Sequence, residues 1–280
     1  MEDMVIMKYF RRIWGIITSG ANWYKTIIFN FRMLPFKEAA LLPIWLYGKV
    51  DISRSTGSIQ WMNPTKVHTG GWKIGQAICL LNGTNIHCDV TIISIQGVLK
   101  LGEHGHIMNG CHIYIKDGSV VELCDWVVFS EHIRLCSFIG ITIGEQTRIS
   151  WDSQIMDTDF HYVLQSDGTV YPNKKKINIG NRVWIGNHVT ISKGAGVGDE
   201  CIIASNSMLN HDFSDVNNGL FVGSPATLKK EGVSRVFDWE LERRIDDFFI
   251  LHLDAKKCNI TDIINSENGP DGRANTPPRR

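Results

Sequence analysis

From Ile179 to Leu209, aliphatic side chains recur at every sixth position: Ile179, Ile185, Ile191, Val197, Ile203 and Leu209. Four residues beyond each of the first five stands a second small or apolar residue: Val183, Val189, Ala195, Cys201 and Ser207. A small residue often follows the aliphatic one, as at Gly180, Gly186, Ser192, Gly198 and Ala204. A period of six fits neither the 3.6-residue turn of a helix nor the alternation of one long strand. It fits a coil of three short parallel strands, each hexapeptide turning the chain by about a third of a circle, with one aliphatic per unit pointing inward. The predicted fold class is therefore an all-β solenoid.

Upstream, Ile74, Leu80, Ile86, Ile92 and Val98 lie six apart, with Ile78, Thr84 and Val90 in the second inward slot. Leu101, Ile107 and Ile113 keep the period, and Val121, Val127, Ile133 and Ile139 resume it two residues out of phase. A small corner insertion around Asp117-Gly118 accounts for the slip, and Ile143, Ile149 and Ile155 restore the pattern. The solenoid domain is read as residues 48–227, with an inserted loop at 156–177.

Residues 1–47 have a different texture. Aromatic and aliphatic residues such as Tyr9, Phe10, Trp14, Trp23, Tyr24, Phe29 and Phe31 alternate with Lys8, Arg11, Arg12, Lys25, Arg32 and Lys37, while Glu2 and Asp3 are the only acids before residue 38. This mostly helical extension has two compatible readings. It caps the unpaired strand edge of the first coil, or it rests on an anionic membrane surface. Within a C-terminal segment at 228–262, the spacing of Val236, Leu241, Ile245, Phe248 and Phe249 predicts a helix, with Arg243 and Asp247 placed to pair along it. Residues 263–280 are expected to be a disordered tail.

Charge and cysteine content narrow the function. Lys plus Arg and Asp plus Glu balance at 29 each, so the whole chain makes no electrostatic case for nucleic acid. Seven scattered cysteines without a C-x-x-C pair read as small buried thiols in a reducing compartment, not as a disulfide or zinc framework. No convincing signal peptide and no run of about 20 apolar residues is present, which makes a cytoplasmic setting the expectation.

The candidate chemistry sits where the repeat stops. Between Ile155 and Ile177 the period vanishes, and the inserted loop holds Asp157, Asp159 and His161, a turn at Asp167-Gly168, and Lys174, Lys175 and Lys176. Solenoid insertions project from one side and often carry function. Taken by itself, a His in a polar loop is more often solvated than catalytic.

From about Gly140 to Ala226 the chain resembles the hexapeptide-repeat acyltransferases, and within them the maltose/galactoside O-acetyltransferases and the sugar O-acetyltransferases of polysaccharide biosynthesis. Three landmarks carry the resemblance: the loop MDTDFH (Met156 to His161), the coil IGNRVWIG after it, and the closing GSPA at Gly223 to Ala226. The resemblance implies a left-handed parallel β-helix, a homotrimer, and acetyl-CoA as donor to a hydroxyl of a sugar or glycan intermediate, with no metal required. The implied setting is surface polysaccharide biosynthesis, at the inner face of the membrane if the N-terminal segment touches lipid.

The resemblance gives His161 the part of general base. Asp157 or Asp159 would hold its second ring nitrogen, although either would serve equally as a cap on the loop backbone. By position Ala204 and Ser205 would meet the pantetheine arm, and Trp184 would line the site near the thioester or pack on a neighbouring subunit. Where the family carries a Thr-Lys pair after the last coil and an Arg after the GSPA-like turn, this chain has Asn210-His211 and Thr227. Lys229 and Lys230 are then the nearest cations for the coenzyme phosphates. His104 and His106 are close enough to suggest a metal, but the sequence shows no carboxylate–His set with ligand spacing beside them. Rival readings are an N-acetyltransferase of an amino nucleotide sugar, a γ-type carbonic anhydrase with three His around zinc, and a non-catalytic scaffold.

Overall fold

The computed structural model describes residues 20–77 and 89–265. Sequence expectations for 1–19, for Ile78, Leu80, Thr84 and Ile86, and for 266–280 lie outside the described residues. Two units are present, Met1–Arg235 and Val236–Arg280.

The first unit is a parallel β-helix with three faces. Face A runs through Ile44–Leu46, Trp72–Gln76, Gly105–Met108, Val127–Phe129, Arg148–Ile149, Trp184–Ile185, Ile202–Ile203 and Leu220–Gly223. Face B runs through Val50–Asp51, Thr91–Ile95, His112–Ile115, Arg134–Ser137, Gln154–Met156, Thr190–Ile191 and Met208–Leu209. Face C runs through Ser58–Trp61, Val98–Leu101, Val120–Leu123, Gly140–Ile143, Ile177–Ile179, Gly196–Val197 and Asp212–Phe213. An antiparallel strand, Ala226–Lys230, closes face A after the cis Ser224–Pro225 peptide.

Inward side chains stack in register along each face. On face A the column is Leu46, Ile74, Ile107, Phe129, Ile149, Ile185, Ile203 and Phe221. On face B it is Ile93, Ile113, Leu135, Ile155, Ile191 and Leu209. All of these are buried. So are Val183, Val189, Ala195, Cys201 and Ser207, the second-slot residues of the repeat.

Three expected inward positions are corrected. Ile92, Val98 and Ile139 are only partly buried, and the core takes Ile93, Ile95, Leu99 and Ile141 instead, beside the expected Leu101. Strands in the early coils run to four or five residues, as in Thr91–Ile95 and Val98–Leu101. In such strands two inward residues alternate with outward ones, and a slip of one residue exchanges the faces. Val90, placed in the second slot, is likewise exposed. The corner insertion is where the phase slip puts it. Four residues separate Ile115 from Val120, against two between Ser137 and Gly140 one coil later. The extra pair forms a turn in which Ser119 N–H donates to the Lys116 carbonyl at 3.0 Å, with Gly118 at φ 79°. That positive φ is one glycine adopts without penalty.

Helix α1 (Trp23–Met33) turns Thr26, Phe29, Asn30 and Met33 inward, and α2 (Phe36–Ala39) follows it. Asn30 does what a neighbouring strand would do for Ile44: its Nδ2 donates to the Ile44 carbonyl at 2.7 Å, and its Oδ1 accepts from Ile44 N–H at 3.2 Å. Thr26 Oγ1 accepts from Leu46 N–H at 3.0 Å, and Asn22 N–H donates to the Leu46 carbonyl at 2.7 Å. The described part of the N-terminal extension is thus a cap on the first strand of face A.

In the second unit, α3 (Trp239–Leu251) forms within the expected C-terminal segment at 228–262, and Arg243 meets Asp247 at 2.6 Å as its spacing implied. Asp238 caps it by accepting from the N–H groups of Glu240 and Leu241. A short α4 (Ile260–Asn265) follows. Among the described residues no helix is long and apolar enough to cross a membrane.

Candidate active site

The inserted loop leaves face B after Gln154–Met156 and returns to face C at Ile177–Ile179, so it replaces one corner between those faces. Asp157, the first loop residue, is fully buried. Its carboxylate accepts from Ser137 Oγ (2.9 Å) and from the N–H groups of Phe138 (2.7 Å), Ile139 (2.9 Å) and Gly140 (2.8 Å). Four donors occupy this side chain, and all belong to the corner one coil earlier. Of its two expected parts, orienting His161 or capping the backbone, Asp157 takes the cap.

Asp159 N–H donates to the Asn173 carbonyl at 2.8 Å, and its carboxylate meets Lys193 Nζ at 2.9 Å. Its own carbonyl accepts from His161 N–H at 2.7 Å, which closes a three-residue turn with Phe160 at the centre at φ 61°. A positive φ on a bulky residue is uncommon and costs about 1–2 kcal/mol, so something must hold it. Thr158 Oγ1 accepts from Phe160 N–H at 3.0 Å, Asn173 Nδ2 donates to the Phe160 carbonyl at 3.2 Å, and the Phe160 ring sits edge-on to Phe138. Strain held in place by its surroundings clusters at functional sites. The His161 side chain projects from this turn exposed, without a hydrogen-bond or ion-pair partner among the described residues. Asp159 is committed to Lys193, so neither carboxylate holds the imidazole in this single chain.

The expected cofactor residues lie elsewhere on the prism. Trp184 stands outward on face A, in register between Arg148 and Ile202, with its Nε1 3.4 Å from Ser150 Oγ. Ala204 and the exposed Ser205 follow at the corner between faces A and B, where Ser205 Oγ donates to Asn187 Oδ1 at 2.5 Å. Lys229 and Lys230 are exposed on the closing strand. Face A lies across the coil from the corner that bears His161, so one chain does not bring the loop and these residues together.

Sequence reasoning missed two cations. Arg235 sets its guanidinium over the Trp184 ring at 5.6 Å. Lys193 donates to the Pro172 carbonyl at 2.9 Å while pairing with Asp159. A signal for Lys193 existed: Ile155 pairs with Ile191, which puts Lys193 one coil beyond Asp157 at the same corner.

Near His104 the structure corrects the sequence reading. Ligand atoms of Glu103, His104 and Asp125 fall within 4.8 Å of one another, so a carboxylate–His set is present after all. Its acids already have work in the fold. Glu103 pairs with Lys66 at 2.6 Å, and Asp125 accepts from the N–H groups of His104 (2.7 Å) and Trp126 (3.1 Å).

No protein-family profile matches the chain. A protein of Escherichia coli K12 carrying the name of a lipopolysaccharide-biosynthesis O-acetyl transferase, WbbJ, is 25% identical over 154 residues, which cover 52% of this chain and 78% of that one. A 24.8 kDa protein from the cps region of Klebsiella pneumoniae is 34% identical over 145 residues, covering 52% of this chain and 64% of that one. The galactoside O-acetyltransferase of Escherichia coli K12 is 27% identical over 121 residues, covering 42% of this chain and 58% of that one. These similarities fall on a chain that folds as three-faced coils with a six-residue repeat.

Over about half of its length it is similar to named O-acetyltransferases.

Its fold is a left-handed parallel β-helix. The coils supply rigid edges, and the loop presents the His161 imidazole from a strained turn. The apolar arm of the loop is also left open. Tyr162, Val163, Leu164, Val170 and Tyr171 are all exposed, and Gln165 N–H bonds the Thr169 carbonyl at 2.8 Å to close the arm into a hairpin.

Proposed function

We propose that the protein is an O-acetyltransferase that moves acetyl from acetyl-CoA to a hydroxyl of a sugar or glycan intermediate in surface polysaccharide biosynthesis, with His161 as general base. The observation that carries this reading is the imidazole itself, held out on a γ-like turn and without a partner among the described residues. A sugar hydroxyl is not ionised at neutral pH, so its proton must leave as its oxygen attacks the thioester carbonyl. Imidazole, with an ordinary pKa of about 6.5, accepts that proton at working pH. As the C–O bond forms and the C–S bond breaks, the imidazolium returns the proton to the departing thiolate. General-base action of this kind contributes roughly 10² to 10⁴-fold, and no covalent enzyme intermediate is needed.

The site is completed by a second copy. His161 is on the corner between faces B and C, whereas Trp184, Ala204 and Ser205 lie on face A and its corner with face B. Packing the exposed arm of one chain against face A of the next joins the two halves and covers Tyr162, Leu164 and Tyr171. A closed trimer does this three times by one rotation. The coenzyme's extended arm then runs along Ala204 and Ser205 between chains, with Trp184 and Arg235 near its path and Lys229 and Lys230 available to phosphate. On α1 and α2 the outward residues Tyr24, Ile27, Phe31 and Phe36 are exposed beside Lys37, a surface suited to an anionic bilayer.

His161→Ala tests the reading. Acetyl transfer, followed as release of free thiol, should fall by at least about 100-fold while native mass and melting temperature stay in place. Unchanged turnover would overturn the assignment. Release of the product's acetyl by hydroxylamine or mild alkali identifies an ester, and resistance identifies the amide of an N-acetyltransferase.

A further inference from the structure

We propose that the corner beside His161 holds a binding site for an anionic group, carboxylate or phosphate, carried by the acceptor. This deepens the reading above and rests on it. The corner between faces B and C carries a continuous cluster over successive coils. Tyr114 lies 6.0 Å from Phe138, and Phe138 lies 5.4 Å from Phe160, the residue before His161. Lys116 Nζ sits 4.9 Å from the centre of the Phe138 ring, and Lys174 Nζ sits 5.7 Å from it. Lys116 comes from the turn one coil earlier and Lys174 from the returning stem of the loop, so the fold draws two distant cations to one aromatic ring.

Among the described residues neither Lys116 nor Lys174 forms an ion pair, although acids are close by. Asp157 spends its carboxylate on Ser137 and the amides of 138–140, and Asp159 spends its own on Lys193. Asp117 is exposed next to Lys116 and is not paired with it. Like charges gathered in this way repel each other. The Phe138 π face attracts each ammonium by a cation–π interaction. An anion bound at this ring would give the two ammoniums the counter-charge that neither has among the described residues. Lys175 and Lys176, both exposed, extend the positive surface along the loop stem.

The chain spacing relates this cluster to the chemistry. Coils stack at about 4.8 Å, so from Tyr114 to Phe160 the strip advances roughly 10 Å. A charged sugar bound at Phe138 therefore places an adjoining unit of the same glycan beside His161. Aromatic edges of Tyr114 and Phe160 flank the anion site and offer apolar surface to the ring faces of a sugar.

The test measures binding apart from catalysis, using the full chain with His161→Ala. Three probes are titrated: a galacturonic acid hexamer for carboxylate, a short glycerol phosphate polymer for phosphate, and maltohexaose as the neutral control. One acidic probe should bind at least about tenfold more tightly than the neutral one, about 1.4 kcal/mol, and should weaken as salt is raised. Lys116→Gln with Lys174→Gln should abolish that preference. Equal binding of acidic and neutral probes, or an undiminished preference in the double variant, would overturn the proposal. So would a change in oligomer mass in the double variant, since the lysines would then serve a neighbouring chain. Failure of the enzymatic reading looks different: no sugar would elicit thiol release from the wild type while the acidic preference persisted.

Discussion

Lys193 places its ammonium 2.9 Å from a carboxylate oxygen of Asp159, and at the same distance it donates to the carbonyl of Pro172. Asp159 lies on the outgoing stem of the inserted loop and Pro172 on the returning one. A single side chain from the following coil thus ties both stems, and the turn that presents His161 starts at one of the tied residues. Lys193→Met should lower kcat by about tenfold, equivalent to about 1.4 kcal/mol in the barrier. The melting temperature should barely move, because a partly exposed pair of this kind contributes about 0–1 kcal/mol. Lys193→Arg should recover part of the loss. The check is steady-state kinetics beside thermal melts, with proteolysis of the 157–176 loop as a measure of its looseness.

Asp157 should behave in the opposite way. Removing its carboxylate in Asp157→Ala strands the buried amide of Gly140, the hydroxyl of Ser137 and the partly buried amides of Phe138 and Ile139. Each buried donor left unmet costs about 1–3 kcal/mol, so a loss of at least about 3 kcal/mol is expected. Chemical denaturation measures it. A variant that melts like the wild type but fails in catalysis would show that the residue acts in the chemistry instead.

The stack itself offers a third test. Ile185 is fully buried on face A between Ile149 and Ile203. Ile185→Ala should cost about 2–5 kcal/mol, the transfer energy of the lost atoms plus the cavity they leave. The same change at Val90, which is exposed, should cost within about 0.5 kcal/mol.

His106 gives stability a pH dependence. Burial, and then the charges of Lys73, Arg148 and His104, pull its pKa down to about 4. The unfolded value is about 6.5, so between these limits the unfolded chain binds more protons than the folded one. Stability is therefore complete above about pH 6.5 and declines as pH falls toward 4. His106→Gln should flatten this part of the melting-temperature profile between pH 7 and pH 4.5. An unaltered slope would show that other groups produce it.

The late coils were legible because their strands are two or three residues long and each hexapeptide offers one large aliphatic, so period and burial coincide from Ile179 to Leu209. In the early coils longer strands present residues to both sides, and sixfold counting put Ile92 and Val98 inside when Ile93 and Leu99 are there. Asp157 and Asp159 were equivalent in sequence, since nothing local tells which carboxylate reaches back a coil to Phe138 and which reaches forward to Lys193. The separation of His161 from Trp184 was also hidden. The loop length conceals how many corners lie between them, and only the strand register assigns one to a corner and the other to the opposite face.

Asn30 has a consequence for how copies of the chain can meet. Its amide and the neighbouring groups of Thr26 and Asn22 satisfy the outward-facing donors and acceptors of Ile44 and Leu46. The first rung of face A is left with nothing to offer an incoming strand, so fibre-like growth from that rung is blocked. Replacing Asn30 by Leu, which keeps bulk but removes these contacts, would reopen a sticky end.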